Sequence, residues 1–316
     1  MKVLVTGAAG YLGWAVVHEF LAAGDEVVAL VHDADAAFPP AVEKRAADLL
    51  DAGSLTAAME NVAGVCHLAA LTRVRISAEQ PTRYYRANVG GTIGILDAMA
   101  AESRRSGNAG RIVLASTGQV YGAPARQPIS EAADVRFINP YAASKVACEQ
   151  LLGWQAAAGK VGATTLRIFN AAGAAAGRGD QDLTRIIPKA VAVAAGFAAQ
   201  VDVNGDGTAV RDFVSVEDVA RAFVLALRAS EQGEHAIYNL GATSASVRDV
   251  IGAVERVSGR SVHVQHRPAH AAEAPALTAD TSRIRAALGW RPVSSGLDDL
   301  VRGQWSAAVQ VTSPAH

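Results

Sequence analysis

The first 31 residues decide most of what this chain can become. Lys2-Val3-Leu4-Val5-Thr6 is a short apolar, β-like run. Gly7-Ala8-Ala9-Gly10-Tyr11-Leu12-Gly13 follows, and Trp14 to Ala23 reads as an amphipathic helix ended by Gly24. Glu26-Val27-Val28-Ala29-Leu30-Val31 is a second buried strand. Strand, glycine turn, helix and strand in this order open a parallel βαβ unit. Glycines let the turn bend tightly and let backbone approach a pyrophosphate resting on the helix N-terminus. The spacing is G-x-x-G-x-x-G, and its strand–helix context is what makes it read as a dinucleotide cradle.

The alternation continues. Asp48-Leu49-Leu50-Asp51 precedes a helix from Gly53 to Asn61, and Gly64 to Ala70 is a strand ending in small residues. Small residues at a strand's carboxyl end suit close approach by a ligand. His67 within that run reads as a packed, locally bonded histidine. Asn88-Val89-Gly90-Gly91-Thr92 opens a helix running to about Arg104, and Arg111 to Ala115 is a strand with Ser116-Thr117 at its end. Such alternation predicts a parallel, doubly wound sheet.

Composition excludes several classes. The 316 residues are 50% hydrophobic, enough for a large core, and the net charge of −1 marks neither a nucleic-acid binder nor a membrane-surface binder. No apolar run is long enough to span a bilayer, and no signal peptide is expected ahead of Val3. Two cysteines, Cys66 and Cys148, in a chain this long suggest a reducing compartment, so a cytoplasmic enzyme is expected. No His, Cys or acid has metal-like spacing to His67, and no metal is expected.

Asn139-Pro140-Tyr141-Ala142-Ala143-Ser144-Lys145 carries the chemistry. Pro140 suits a first helical turn. Tyr141 and Lys145, four apart, then share one helix face with about 5–6 Å between Cβ atoms. A phenol titrates near 10 and needs its anion stabilised to act as a base, which a neighbouring ammonium can do. The pair reads as a proton-transfer tyrosine tuned by a lysine.

These segments resemble the extended short-chain dehydrogenase/reductase superfamily, in order: Thr6 to Gly13, His67 to Ala70, Asn88 to Thr92, Ser116-Thr117 before Val120-Tyr121-Gly122, and Tyr141-x-x-x-Lys145. Arg167-Ile-Phe-Asn170, Asn204 to Thr208 and Arg211 to Asp218 resemble segments of its nucleotide-sugar epimerases and dehydratases. Tyr238 to Gly241 and Ala287 to Pro292 match C-terminal landmarks. The resemblance implies an α/β, Rossmann-type doubly wound parallel sheet over residues 1–170. A smaller C-terminal substrate-binding domain would span 171–316, with 209–241 packing back on the first domain.

The resemblance also implies roles. Tyr141 would be catalytic base and acid, Lys145 would lower its pKa and hold the nicotinamide ribose, and Thr117 would hydrogen-bond the reacting hydroxyl. Gly7, Gly10 and Gly13, with Tyr11 and Leu12, would receive the pyrophosphate. Asp48 and Leu49 would meet the adenine, and Leu68, Ala69, Ala70, Asn88 and Ser116 would complete the cofactor site. Asn170 and Arg211 would bind the substrate's diphosphate, Arg through its two-pronged guanidinium. At the end of the second strand, Val31 stands where an acid would select NAD, while His32 could face the phosphate of NADP and Asp33 comes late. The cofactor choice stays open here.

The implied reaction is 4-epimerisation of a UDP-hexose through a transient 4-keto sugar, with retained NAD, in a homodimer joined through the helices near Asn88–Arg104 and Tyr141–Gly159. Gly118-Gln119 stands where dehydratases carry Asp-Glu and decarboxylases Ser-Glu, and Gln transfers no proton. An NADP-dependent carbonyl reductase and a non-catalytic nucleotide-binding regulator are the alternatives. Downstream, Ala172 to Asp182 reads as a mobile substrate loop. Helices are expected at Leu183–Gly196, Val216–Ala229, Ser246–Ser258 and Thr281–Leu288, with a frayed tail after Val311.

Overall fold

The computed structural model describes residues 1–32, 36–268 and 274–310. Its centre is a seven-stranded sheet in the order His235–Leu240, Val161–Ile168, Gly110–Thr117, Gly64–His67, Lys2–Thr6, Glu26–Val31, Val42–Ala46. Every neighbouring pair is parallel. Strands such as Val3-Leu4-Val5 and Ile112-Val113-Leu114 are fully buried because helices cover both faces. One face buries Val3, Val5, Val16, Phe20, Phe223 and Trp290; the other buries Leu4, Leu55, Ile95, Ile112 and Leu152. Strand order reverses between Lys2–Thr6 and Gly64–His67, where open α/β sheets hold ligands beyond the carboxyl ends of their strands.

The helix Val216–Ala229 packs on Tyr11–Ala22, and His235–Leu240 forms the sheet's edge. A separate cluster, including Ile187, Val191, Val201, Phe213, Val250 and Val301, gathers the C-terminal elements. There Val210–Ser215 pairs with the short strand Asn170–Ala172 and with Thr243–Ser246.

Three segments differ from the sequence-based expectation. Ala172 to Asp182 is an ordered hairpin, Ala174–Ala175 against Arg178–Gly179, rather than a loose loop. The Tyr11 hydroxyl donates to Gly173 O (2.8 Å), Trp14 Nε1 to Ala176 O (3.3 Å), and the Arg178 guanidinium lies 3.5 Å from the Trp14 ring centroid. Small residues permit that close packing against the first helix. The helix expected from Asn88 begins instead with a π-helical stretch, Tyr85–Gly90, ahead of Gly91–Ser106. A further helix, Leu297–Gln310, had no expectation attached; its Gln304 holds Asp180 in both directions (2.7 and 2.8 Å). The tail from Val311 and the Asp33 position lie outside the described residues. Among the described residues no helix is long and apolar enough to cross a membrane.

Candidate active site

Proline makes Tyr141 the second residue of its helix. The helix Pro140–Ala157 starts at Asn139, whose Oδ1 accepts from Ala142 N (2.8 Å). Tyr141 and Lys145 are both buried, on one face of this helix. Thr117 closes the strand Gly110–Thr117; its hydroxyl accepts from Gln119 N (3.2 Å) and lies near enough to the Tyr141 phenol to favour the phenol's ionised form. The structure therefore brings Thr117, Tyr141 and Lys145 into one buried group at the carboxyl end of the sheet.

The electrostatics correct one expectation. Burial pushes Tyr141 up to about 12, against a smaller downward pull from the Thr117 hydroxyl and Arg185. Burial also holds Lys145 below its ordinary value, opposed by Cys148 and Glu149. Lys145 is not what sets the phenol here: removal from water penalises the phenolate and the ammonium alike. In this state Tyr141 is protonated at neutral pH and can act as a hydrogen-bond donor.

The glycine turn lies beside this group. Gly7 has φ +67°, and a Cβ there would meet Ala69 N at 2.9 Å, so only glycine fits between the two loops. A Cβ on Gly13 would overlap the Gly7 carbonyl, so Gly13 serves helix-to-turn packing rather than direct approach of a ligand. Gly10 precedes the helix Tyr11–Ala22 with no side chain capping it, which leaves the first N–H groups for an anion. Leu12 packs into the core beneath. An open glycine cradle under an uncapped helix start fits a dinucleotide pyrophosphate.

Val31 is buried in the core and its carbonyl accepts from Ala47 N (3.1 Å). No ribose-binding acid stands there, and His32 next to it is exposed. Asp48 Oδ1 accepts from Leu50 N (2.9 Å), and Leu49 packs against Gly91 and Gly94.

Several expected cofactor residues work from beneath the site. Thr6 Oγ1 accepts from Leu68 N (3.1 Å) and Ala69 N (3.0 Å), so its one proton goes to His67 Nδ1 (2.8 Å). His67 Nε2–H then donates to Thr92 (3.2 Å), whose hydroxyl donates to Asn88 O (2.7 Å). The Asn88 amide is taken up by Leu71 N (2.8 Å), Leu71 O (3.1 Å) and the Ser144 hydroxyl (2.9 Å), and Ser144 Oγ donates to Tyr141 O (2.7 Å). Asn88 thus ties the loop carrying Leu68, Ala69 and Ala70 to the Tyr141 helix. The Ser116 hydroxyl likewise donates to Glu149 rather than facing a cofactor.

Asn170 and Arg211 lie on paired strands, Asn170 opposite Phe213 and Arg211 two residues earlier on that strand. Asn170 Nδ2 donates to Asp212 O (2.8 Å), and Arg211 Nη1 donates to Val210 O (2.8 Å) and Ala274 O (2.9 Å). Asp212, within the same motif, is structural: its carboxylate takes Ala242 N (2.7 Å) and Ala279 N (2.8 Å). Beside Thr117, a Cβ on Gly118 would come within 2.7 Å of the Phe169 ring, and Gln119 Oε1 accepts from Asn139 (3.2 Å). Neither residue brings a carboxylate to the reacting group. Among the described residues no three His, Cys, Asp or Glu side chains could hold a metal.

The fold and this constellation are those of an α/β protein with a glycine cradle and a buried tyrosine at the carboxyl end of its parallel sheet. Residues 3–241 match the NAD dependent epimerase/dehydratase family, and the chain belongs to that family. It is 37% identical over 311 residues to a UDP-glucose 4-epimerase of Streptomyces lividans, covering 94% of this chain and 93% of that protein. A UDP-glucose 4-epimerase from Stenotrophomonas maltophila, solved with bound NAD and formylated UDP-arabinopyranose, superposes with a TM-score of 0.90. It is 32% identical and covers 99% of this chain and 100% of its own. A second, from Brucella ovis in complex with NAD, gives a TM-score of 0.88 at 33% identity, covering 96% and 97%.

Proposed function

We propose that this chain is a UDP-hexose 4-epimerase that works with tightly held NAD. The observation that carries the reading is the buried grouping of Thr117, Tyr141 and Lys145 at the sheet's carboxyl end, with the uncapped glycine cradle at a nearby strand end. Gly7, Gly10 and the N–H groups of Tyr11 and Leu12 would hold the pyrophosphate, and Lys145 the nicotinamide ribose. NAD, when bound, supplies a reversible hydride acceptor and a cationic ring, which favours the phenolate that burial disfavours. Tyr141 takes the proton of the sugar hydroxyl and returns it, and Thr117 holds that hydroxyl in line. Asn170 and Arg211 anchor the diphosphate while the sugar turns between its two faces. Gly118 and Gln119 offer no second acid, so neither water nor carbon dioxide is lost. The C-terminal cluster forms the substrate-covering domain, over residues 171–316 with 209–241 joined to the first domain.

The deciding experiment uses purified protein without added cofactor, incubated with UDP-glucose, UDP-N-acetylglucosamine and UDP-glucuronate. A product of unchanged mass that co-elutes with a 4-epimer is expected. Loss of water or carbon dioxide overturns the reading, and turnover only with added NADPH replaces it with a reductase that uses His32 for the phosphate.

The protein works in the cytoplasm as a homodimer. Supporting the dimer, Tyr85, Ile93 and Trp154 are 43%, 43% and 75% exposed, on the segments leading into and forming the two expected interface helices. Trp154→Glu is expected to shift sedimentation from dimer to monomer while leaving the melting temperature nearly unchanged; an unaltered dimer places the interface elsewhere.

A further inference from the structure

Glu149 lies one turn beyond Lys145 and two beyond Tyr141 on the same helix face. It is buried, with its side chain 5% exposed, and it is an acid without a role in the reaction as derived above. Its carboxylate accepts from the Ser116 hydroxyl and from Arg167, through Nε (3.1 and 3.2 Å) and Nη2 (2.6 Å). Arg167 Nη1 donates to the Tyr121 hydroxyl (2.8 Å), which donates to Asn239 Oδ1 (2.7 Å). Asn239 Nδ2 in turn donates to Ile129 O (2.9 Å). One helix and the ends of three adjacent strands are thereby joined through a single carboxylate.

We infer that Glu149 is a positioning residue for the Thr117–Tyr141–Lys145 group, a reading that rests on the epimerase function proposed above. Ser116 and Thr117 are consecutive on the strand. Ser116 holds the helix at Glu149, and Thr117, the next residue, lies beside Tyr141, eight residues or about 12 Å away along the helix axis. Held at Glu149, the helix is limited in the angle it makes with the strand end as well as in its distance from it. The distance from Thr117 to Tyr141, on which proton transfer depends, follows from that angle. Glu149 also supports the ammonium of Lys145 against burial. Arg167 holds Glu149 in place, and burial of its own charge is more than offset by that carboxylate.

A buried ion pair also stabilises, so the test separates positioning from stability. Glu149→Gln leaves Arg167 as an unpaired buried charge; adding Arg167→Met removes that charge and is expected to restore the melting temperature. The inference predicts that kcat for UDP-glucose stays down about 30-fold in this stabilised double variant, with KM within about twofold of wild type. Ser116→Ala, which leaves the pair intact, is expected to lower kcat about fivefold by the same loosening. Recovery of kcat together with melting temperature in the double variant, or wild-type kcat in Ser116→Ala, overturns the inference. If wild-type protein leaves UDP-hexoses unchanged, the epimerase reading fails separately. Positioning is then decided by amide exchange over 114–118 and 141–145: faster exchange in the double variant upholds it, and unaltered protection overturns it.

Discussion

Tyr141→Phe is expected to leave a folded, cofactor-binding protein whose kcat is down by about a thousandfold, within the range for losing a general acid–base group. The phenol is the one group at the centre of the site that can carry a proton between a sugar hydroxyl and the protein. Thr117 has a hydroxyl but no accessible ionised form, and Lys145 is held on the helix turn behind. The structural cost is small. The ring stays in its buried place, and the Thr117 hydroxyl keeps its contact with Gln119 N. A loss of at most about 1 kcal/mol of stability is expected, the scale of one neutral hydrogen bond. KM for UDP-glucose should move little, because the proposed diphosphate anchors, Asn170 and Arg211, are untouched. Steady-state kinetics with thermal melting checks this. A variant that keeps more than about a tenth of wild-type kcat removes Tyr141 from the proton-transfer role.

Local signals in the sequence reach as far as local physics does. The βαβ opening was legible because the glycine turn, apolar strands and helix lie within the first 31 residues. Val216–Ala229 was legible to the residue, since its apolar face has a clear helical period and Ser215 caps it through Glu217 N. The Tyr141–Lys145 pairing followed from i, i+4 spacing. What the spacing could not give was the dielectric: Tyr141 is driven up to about 12 by neighbours distant in sequence. Ser116 and Asn88 sit at the expected strand end and helix start, yet their side chains bind Glu149, Leu71 and Ser144, partners fixed only by tertiary packing. Glu149 itself continues the i, i+4 series from Tyr141 and Lys145, and that signal was available. Its partner Arg167 was seen as part of a motif, but their pairing crosses from helix to strand. The hairpin at Ala174–Gly179 looked loose because glycine and alanine carry no packing signal of their own. Its order comes from Tyr11, Trp14 and Gln304.

Lowering the pH from 6.5 is expected to destabilise this fold through His67. Burial, then Lys145, holds its imidazole down at about 3, against an ordinary 6.5. The hydrogen-bond chain explains why: Nδ1 must stay bare to accept from Thr6, whose oxygen is already engaged by Leu68 N and Ala69 N. Protonation would set two donors face to face and loosen the loop beside Gly7. The sign follows from proton counting. Between pH 6.5 and about 3 the unfolded chain binds a proton at this position that the folded chain does not. Stability is complete above 6.5 and falls by about 1.4 kcal/mol per pH unit below it, a total of roughly 5 kcal/mol over the window. His67→Gln can accept from Thr6 and donate to Thr92 without titrating. Its neutral-pH stability should lie within about 2 kcal/mol of wild type, the cost of imperfect hydrogen bonds. Urea unfolding from pH 7.5 to 4.5 checks the prediction. The wild-type curve should drop toward that of His67→Gln as the pH falls, and parallel curves would show that His67 takes up its proton without cost to the fold.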